Sequence, residues 1–242
     1  MQFLIIHSVF SLNLTNEYLN HKCLLNQGKY NFGSEYEYNL NSIIDYIRTS
    51  PYGVGSTKVS RGNTTANFAQ IIVQCRGDSY GNKISFTCFD TAISGFRKRC
   101  PNNKGGMIWY DQCFLYVSTV DVELPGNTIY KNIFSMHNPK KVRGDTKLFA
   151  NRAIDFLSEL TLKLQKPNNI LHLPVFYAAG EKKVGKNTLY AMVQCLDVSL
   201  DCTSCLKGSI TKLFKKNDIK QGARVLGSNC FVRYELYPFL RS

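Results

Sequence analysis

Cysteine is the residue type whose spacing in this chain could do chemistry. Residues 193–205 read VQCLDVSLDCTSC and put Cys195, Cys202 and Cys205 in eleven positions, while residues 73–88, VQCRGDSYGNKISFTC, carry Cys75 and Cys88 in a looser version of the pattern. Three chemistries fit such a cluster: thiolate ligation of zinc, a C-x-x-C redox pair, or disulfides. A zinc site would draw on Cys195, Cys202, Cys205 and Cys230, and the earlier cluster would then keep only Cys75, Cys88 and Cys113, one ligand short of a tetrahedral set. A redox role for Cys202-Thr203-Ser204-Cys205 calls for a parallel sheet running into the motif.

Comparison of the chain with itself bears on the choice. GGMIWYDQCFLY (105–116) lies over GARVLGSNCFVR (222–233), which sets Cys113 over Cys230 at an offset of 117. The same offset carries Cys88 onto Cys205, Ile93 onto Ile210 and Phe96 onto Leu213; Cys75 maps to Cys195 at 120. The chain therefore reads as a tandem duplication of a unit of about 110 residues. Copy two lacks equivalents of both Cys23 and Cys100, with Asn217 standing where Cys100 maps, and the joint loss is what a mutual disulfide predicts. Copy one has Ser85 where Cys202 would map, which leaves Cys75 as the odd thiol among nine cysteines. The expected bridges are Cys23–Cys100, Cys88–Cys113, Cys195–Cys202 and Cys205–Cys230, with no metal and no cofactor.

The elements that must hold these sulfurs can be read from periodicity. Leu40, Ile43, Ile44 and Ile47 fall at helical spacing, as do Phe149, Ala153, Phe156, Leu160 and Leu164. A second helix is expected in each copy, from Phe86 to Lys98 and from Cys202 to Lys215. Strand-like runs cover Phe68–Gln74, Ile108–Val117, Leu189–Gln194 and Val225–Tyr234. Helices and strands do not alternate, so the fold class is α+β: two tandem domains, each an antiparallel sheet with two helices packed on one face, stapled by disulfides. The expected boundaries are residues 18–123 and 129–242, joined by a linker at 124–128 that contains Pro-Gly-Asn. Residues 1–17 read as a possible truncated signal or leader: a short apolar run broken by His7, with no basic residue before it.

Charge is divided unevenly between the copies. Residues 1–127 hold 11 Lys and Arg against 9 Asp and Glu, and residues 128–242 hold 19 against 8, so copy two carries nearly all of the net +13. Its cations cluster at Lys140-Lys141-Val142-Arg143, at Lys182-Lys183-Val184-Gly185-Lys186, and at Lys212, Lys215, Lys216 and Lys220. Such a domain attracts polyanions through a field that weakens with salt. No nucleic-acid motif accompanies it, no run reaches the roughly 18 apolar residues of a membrane helix, and His7, His21, His137 and His172 form no catalytic motif. Asn13 and Asn63 begin glycosylation sequons. Arg76-Gly77-Asp78 and Arg143-Gly144-Asp145 spell an adhesion tripeptide twice, which turn chemistry also explains.

The C-x(n)-C-x-x-C core, the Arg99-Cys100-Pro101 turn, the GG or GAR strand and the ending CFVRYELYPF (230–239) together resemble the ginkbilobin-homologous, or stress-antifungal, domain. Plants carry this domain in tandem in cysteine-rich repeat secretory proteins and in the ectodomains of cysteine-rich receptor-like kinases, and the resemblance runs from about Tyr18 to Phe239. It implies a secreted, apoplastic, non-enzymatic binding protein of defence or signalling, with extracellular proteins or acidic cell-wall polysaccharide as partners and no nucleic acid. It also implies an alternative, a mannose-binding antifungal protein, whose sugar site consists of an Asn after the first cysteine, an Arg on the GAR strand and a Glu after the last cysteine. Arg224 and Glu235 match the last two. Copy two has no first cysteine to place the Asn, which makes Asn138 the amide to look for, and an Arg224–Glu235 ion pair is the competing reading. In copy one the three positions read Leu24, Met107 and Ser118.

Overall fold

The computed structural model describes residues 16–49, 56–79, 83–121, 132–164, 176–196, 201–215 and 218–241. Copy one runs β1 (Tyr18–Cys23), α1 (Glu35–Thr49), β2 (Ser56–Arg61), β3 (Ala69–Cys75), α2 (Lys83–Arg99), β4 (Gly106–Tyr110) and β5 (Cys113–Ser118). Copy two repeats the order with β6 (Asn132–His137), α3 (Thr146–Lys163), β7 (Tyr177–Val184), β8 (Asn187–Cys195), α4 (Cys202–Phe214), β9 (Gly222–Gly227) and β10 (Cys230–Glu235). Each copy forms a five-stranded antiparallel sheet, ordered β1-β4-β5-β3-β2 and β6-β9-β10-β8-β7.

Both helices of a copy pack on the same face of its sheet, for the reason their spacing implies. Leu40, Ile43, Ile44 and Ile47 form one stripe on α1 and are buried against Ile71, Val73, Leu115 and Val117. In copy two, Phe149, Ala153, Phe156 and Leu160 of α3 and Leu206, Ile210 and Leu213 of α4 meet Leu189, Ala191, Val193, Val225 and Val232. Helix starts are local as well: Asp145 Oδ1 accepts the Leu148 amide at 2.8 Å, and Asp201 Oδ1 accepts the Ser204 amide at 3.0 Å. The aspartate of the second Arg-Gly-Asp is thus a helix cap, preceded by Gly144 at φ +89°, a conformation that favours glycine.

Two expected strands divide. Ile108–Val117 is the β4–β5 hairpin, turning at Asp111-Gln112, and Val225–Tyr234 is the β9–β10 hairpin, turning at Ser228-Asn229. The usual two-residue hairpin signal is a pair tolerant of positive φ, such as Asn-Gly. Among the described residues only Asn102 and glycines outside these turns have positive φ, so these hairpins close without that signal. The edge strands β1, β2, β6 and β7, only partly buried where described, lacked the apolar runs that mark β3 and β8.

Sulfur joins the elements in equivalent ways. Cys88–Cys113 and Cys205–Cys230, each with a sequence separation of 25, tie α2 to the start of β5 and α4 to the start of β10. Cys23–Cys100 fastens the end of β1 to the end of α2, and Cys195–Cys202 fastens the end of β8 to the start of α4. Cys75 is buried and belongs to none of these bridges.

Candidate functional site

A strand sends successive side chains to opposite faces, so a sheet covered by helices on one side presents its other set of residues elsewhere. On β3 to β5 that set is Ile72, Met107, Trp109, Phe114 and Tyr116. All are buried, and they form one cluster with Leu196 and Leu226 of copy two, against which Phe134, Met136 and Phe231 also pack. The two sheets therefore meet face to face through their helix-free sides. Trp109 stands at the centre, its ring centroid 5.4 Å from that of Phe114 and 5.6 Å from that of Phe134, while its Nε1 donates to the Gly227 carbonyl at 3.0 Å.

The repeated Val-Gln-Cys motif clamps this seam. Gln74 Nε2 donates to the Cys195 carbonyl and Gln194 Nε2 donates to the Cys75 carbonyl, both at 2.8 Å and both buried. Equivalent residues exchange equivalent bonds, which is the signature of a two-fold relation between the copies. Gly77, the middle residue of the first Arg-Gly-Asp, lies under Tyr177 of copy two so closely that a Cβ there would fall 2.2 Å from the tyrosine ring.

Beyond the clamp the seam becomes ionic. Asp111, at the tip of the β4–β5 hairpin, receives Arg76 at 3.0 Å from its own copy and Arg224 at 3.0 Å and Arg233 at 2.9 Å from the other. Arg76 also pairs with Asp78 at 2.6 Å and donates to the Phe239 carbonyl at 3.2 Å. Arg233 reaches Glu235 at 3.3 Å and lies over the Phe239 ring at 4.0 Å. Arg224 and Glu235, the two residues matched to a sugar site, stand 3.8 Å apart within this network. Burial alone would raise the Asp111 pKa, but Arg233, Arg76 and Arg224 together overcome it and hold the carboxyl below its ordinary range. Glu235 goes the other way: burial outweighs Arg233 and Arg224 and pushes it up.

This geometry bears on the sugar reading. The cavity at the seam, bordered by Asp111, Arg224 and Arg233, is about 50 Å³, several times smaller than the roughly 300 Å³ at which ligand pockets begin. Asn138 spends its side-chain oxygen on the Lys140 amide at 2.9 Å. Of the counterparts in copy one, Leu24 and Met107 are in the seam core and Ser118 Oγ donates to the Val120 carbonyl. Arg76 of the first Arg-Gly-Asp is buried in the seam, whereas Asn63 is exposed in a turn. His21, Cys23 and Cys100 come close enough to resemble a metal group, yet both sulfurs are committed to a disulfide. Asn13, His7, His172, Lys216 and the 124–128 junction lie outside the described residues.

The cations of copy two face solvent. Lys140, Lys141, Arg143, Lys183, Lys186, Lys212 and Lys215 are exposed. Lys182 pairs with Glu159 at 2.6 Å, while Lys141 and Lys220 share Asp218 at 3.1 and 2.9 Å. Between the end of β6 and α4 runs a groove of about 830 Å³ that Lys212, Lys215 and Lys220 border.

Comparison with known proteins accords with the repeat. The profile of the family described as Salt stress response/antifungal matches twice, over residues 22–120 and 137–237. Cysteine-rich repeat secretory protein 37 of Arabidopsis thaliana is 52% identical over 242 residues, covering 100% of this chain and 93% of the relative. Protein 35 of the same series, also from Arabidopsis thaliana, is 50% identical over 241 residues, again 100% of this chain and 93% of the relative. The tandem DUF26 ectodomain of the Arabidopsis thaliana cysteine-rich receptor-like protein PDLP8 superposes with a TM-score of 0.76 at 22% identity, over 93% of this chain and 100% of that one. That of PDLP5 does so with a TM-score of 0.70 at 21% identity, over 92% and 100%. At these identities the two structures speak for the fold. No helix among the described residues is long and apolar enough to cross a membrane.

Proposed function

Because the chain belongs to the salt stress response/antifungal family, as a tandem pair and among cysteine-rich repeat secretory proteins, we propose that this extracellular protein is a non-enzymatic interaction module whose second domain engages acidic polysaccharide. The observation that carries this reading is the division of charge. Copy two holds 19 Lys and Arg against 8 Asp and Glu, and its described lysine clusters are largely exposed. Copy one supplies the opposite half of the seam and a near-neutral exterior. Outside the cell, acidic polysaccharide of the wall and anionic microbial surfaces are the polyanions such a field attracts.

The mannose alternative would need Arg224 and Glu235 to face an open cleft. Their ion pairing with Asp111 and Arg233, beside a cavity of about 50 Å³, supports a structural role for them instead. A glycan array read at low and high ionic strength separates the two. Charge-driven binding to acidic glycans is expected to fall steeply as salt shortens the screening length; retention on mannosides at high salt would overturn the reading.

A further inference from the structure

The groove between β6 and α4 exists in copy two because copy one fills the equivalent space. Cys23, ending β1, lies opposite Gly106 on β4, and His137, ending β6, lies opposite Ala223 on β9. Gly106 and Ala223 are equivalent at the repeat offset of 117, so His137 stands where Cys23 does, and the sequence sets Asn217 where Cys100 does. The bridge that closes this corner of copy one is therefore missing from copy two. A second plug is missing as well. Tyr110 packs over α2 so tightly that a Cβ on Gly95 would fall 2.2 Å from its hydroxyl, and it is flanked by Tyr18 with Arg99 above that ring. The residue equivalent to Tyr110 is Gly227.

What borders the opened space is cationic. At the same offset, Gly95 becomes Lys212, Lys98 becomes Lys215 and Asn103 becomes Lys220. The isolated bridge Lys29–Asn103 of copy one recurs as Lys141–Lys220, which verifies the equivalence in space. Asp218 pins Lys220 and Lys141 at the rim, hydrogen bonds from Lys220 and then Lys141 holding its carboxyl below the ordinary range. The wall supplies Thr211, His137 and Ser135, whose Oγ is buried with no hydrogen-bond partner among the described residues.

We propose that this groove is the seat of a segment of a carboxylated polysaccharide, a polyuronate, on the premise that copy two engages polyanions at all. Its volume of about 830 Å³ falls within the roughly 300–1,000 Å³ of ligand sites. Lysines act as point charges that accept carboxylates at varied angles, unlike the planar fork of arginine. Hydroxyl, imidazole and the Asp218 carboxylate suit the hydroxyls between those carboxylates. Among the described residues, no phenylalanine, tyrosine or tryptophan lines the groove to stack a nucleobase.

The test uses the full-length protein with oligogalacturonate and its fully methyl-esterified form as probes, titrated by calorimetry at low salt. The wild type is expected to bind the free acid and not the ester. K212Q/K215Q is expected to lose roughly tenfold or more in affinity, and T211W, which obstructs the groove without altering charge, to lose a comparable amount. The control K183Q/K186Q removes the same charge from the β7–β8 hairpin and is expected to lose no more than about threefold. If the groove variants bind no worse than the hairpin variant, attraction is diffuse and this seat is wrong while the polyanion reading stands. If the wild type ignores oligogalacturonate at low salt, the polyanion reading falls too. Unchanged near-ultraviolet circular dichroism verifies the fold of each variant.

Discussion

Two carboxylates that share Arg224 and Arg233 carry opposite signs in the balance of this molecule. Asp111 accepts three arginines and is held below its ordinary pKa, while Glu235 is buried, pushed up, and has Oε2 without a partner among the described residues. A depressed folded pKa means that the stabilisation from Asp111 is complete above about pH 4, the ordinary aspartate value, and drains away as pH falls through the folded value. For Glu235 the sign reverses: its contribution is present below about pH 4 and is lost as pH rises through the raised folded value. Asp111→Asn is therefore expected to cost about 3–5 kcal/mol at neutral pH in guanidinium denaturation, because it removes the carboxylate that three seam arginines share and leaves Asp78 and Glu235 to balance them. Glu235→Gln is expected to change stability by no more than about 1 kcal/mol, since the ion pairs there do not recover the burial cost. Equal losses from both variants would contradict this assignment. Gly77→Ala drives a methyl into Tyr177 and is expected to cost about 1–3 kcal/mol, read as a lowered thermal midpoint.

At the scale of elements, sulfur and periodicity do different work. The helix stripes and the repeat were legible because each is a pattern of like with like: Leu40, Ile43, Ile44 and Ile47 at helical spacing, Cys88 and Cys113 recurring as Cys205 and Cys230. The hairpin turns were not, since Asp111-Gln112 and Ser228-Asn229 use no positive φ and lack the Asn-Gly type of pair that marks a two-residue hairpin. The clamp is not legible although its sign stands twice in the chain as Val-Gln-Cys, an amide between Val and Cys, because a strand's residues do not say what covers its second face. The bridges hold α2 and α4 to their sheets, and Cys205→Ser with Cys230→Ser is expected to cost about 2–4 kcal/mol. The measurement is non-reducing chemical denaturation, and an unchanged midpoint would count against a structural role for that bridge.

As a whole molecule, the protein is two sheets turned toward each other with helices outside. The seam buries Trp109, Phe114 and Leu226, so neither copy is complete alone. Copy two expressed as residues 129–242 would expose Leu226 and Phe231 as an apolar face and is expected to self-associate or bind a hydrophobic dye, read by light scattering and fluorescence. A monodisperse, dye-silent copy two would mean the seam is dispensable. The same arrangement leaves the outside of copy two, with its lysines and its groove, available to partners.

The chain by itself determined whatever depends on covalent pairing and on local repetition: four bridges, read from cysteines that recur between the copies or are lost from one of them, amphipathic helices, a duplication, and a charge placed in one half. Those properties follow from residues compared with their own counterparts, without knowledge of distance. Only the tertiary structure places Arg224 and Glu235 in one ion-pair network, because a cation and an anion in sequence are equally a sugar contact or a salt bridge until Asp111 arrives from the other copy. It likewise decided where the vacancy left by Cys23, Cys100 and Tyr110 becomes a space, since a missing side chain has a location only once strands and helices have packed around it.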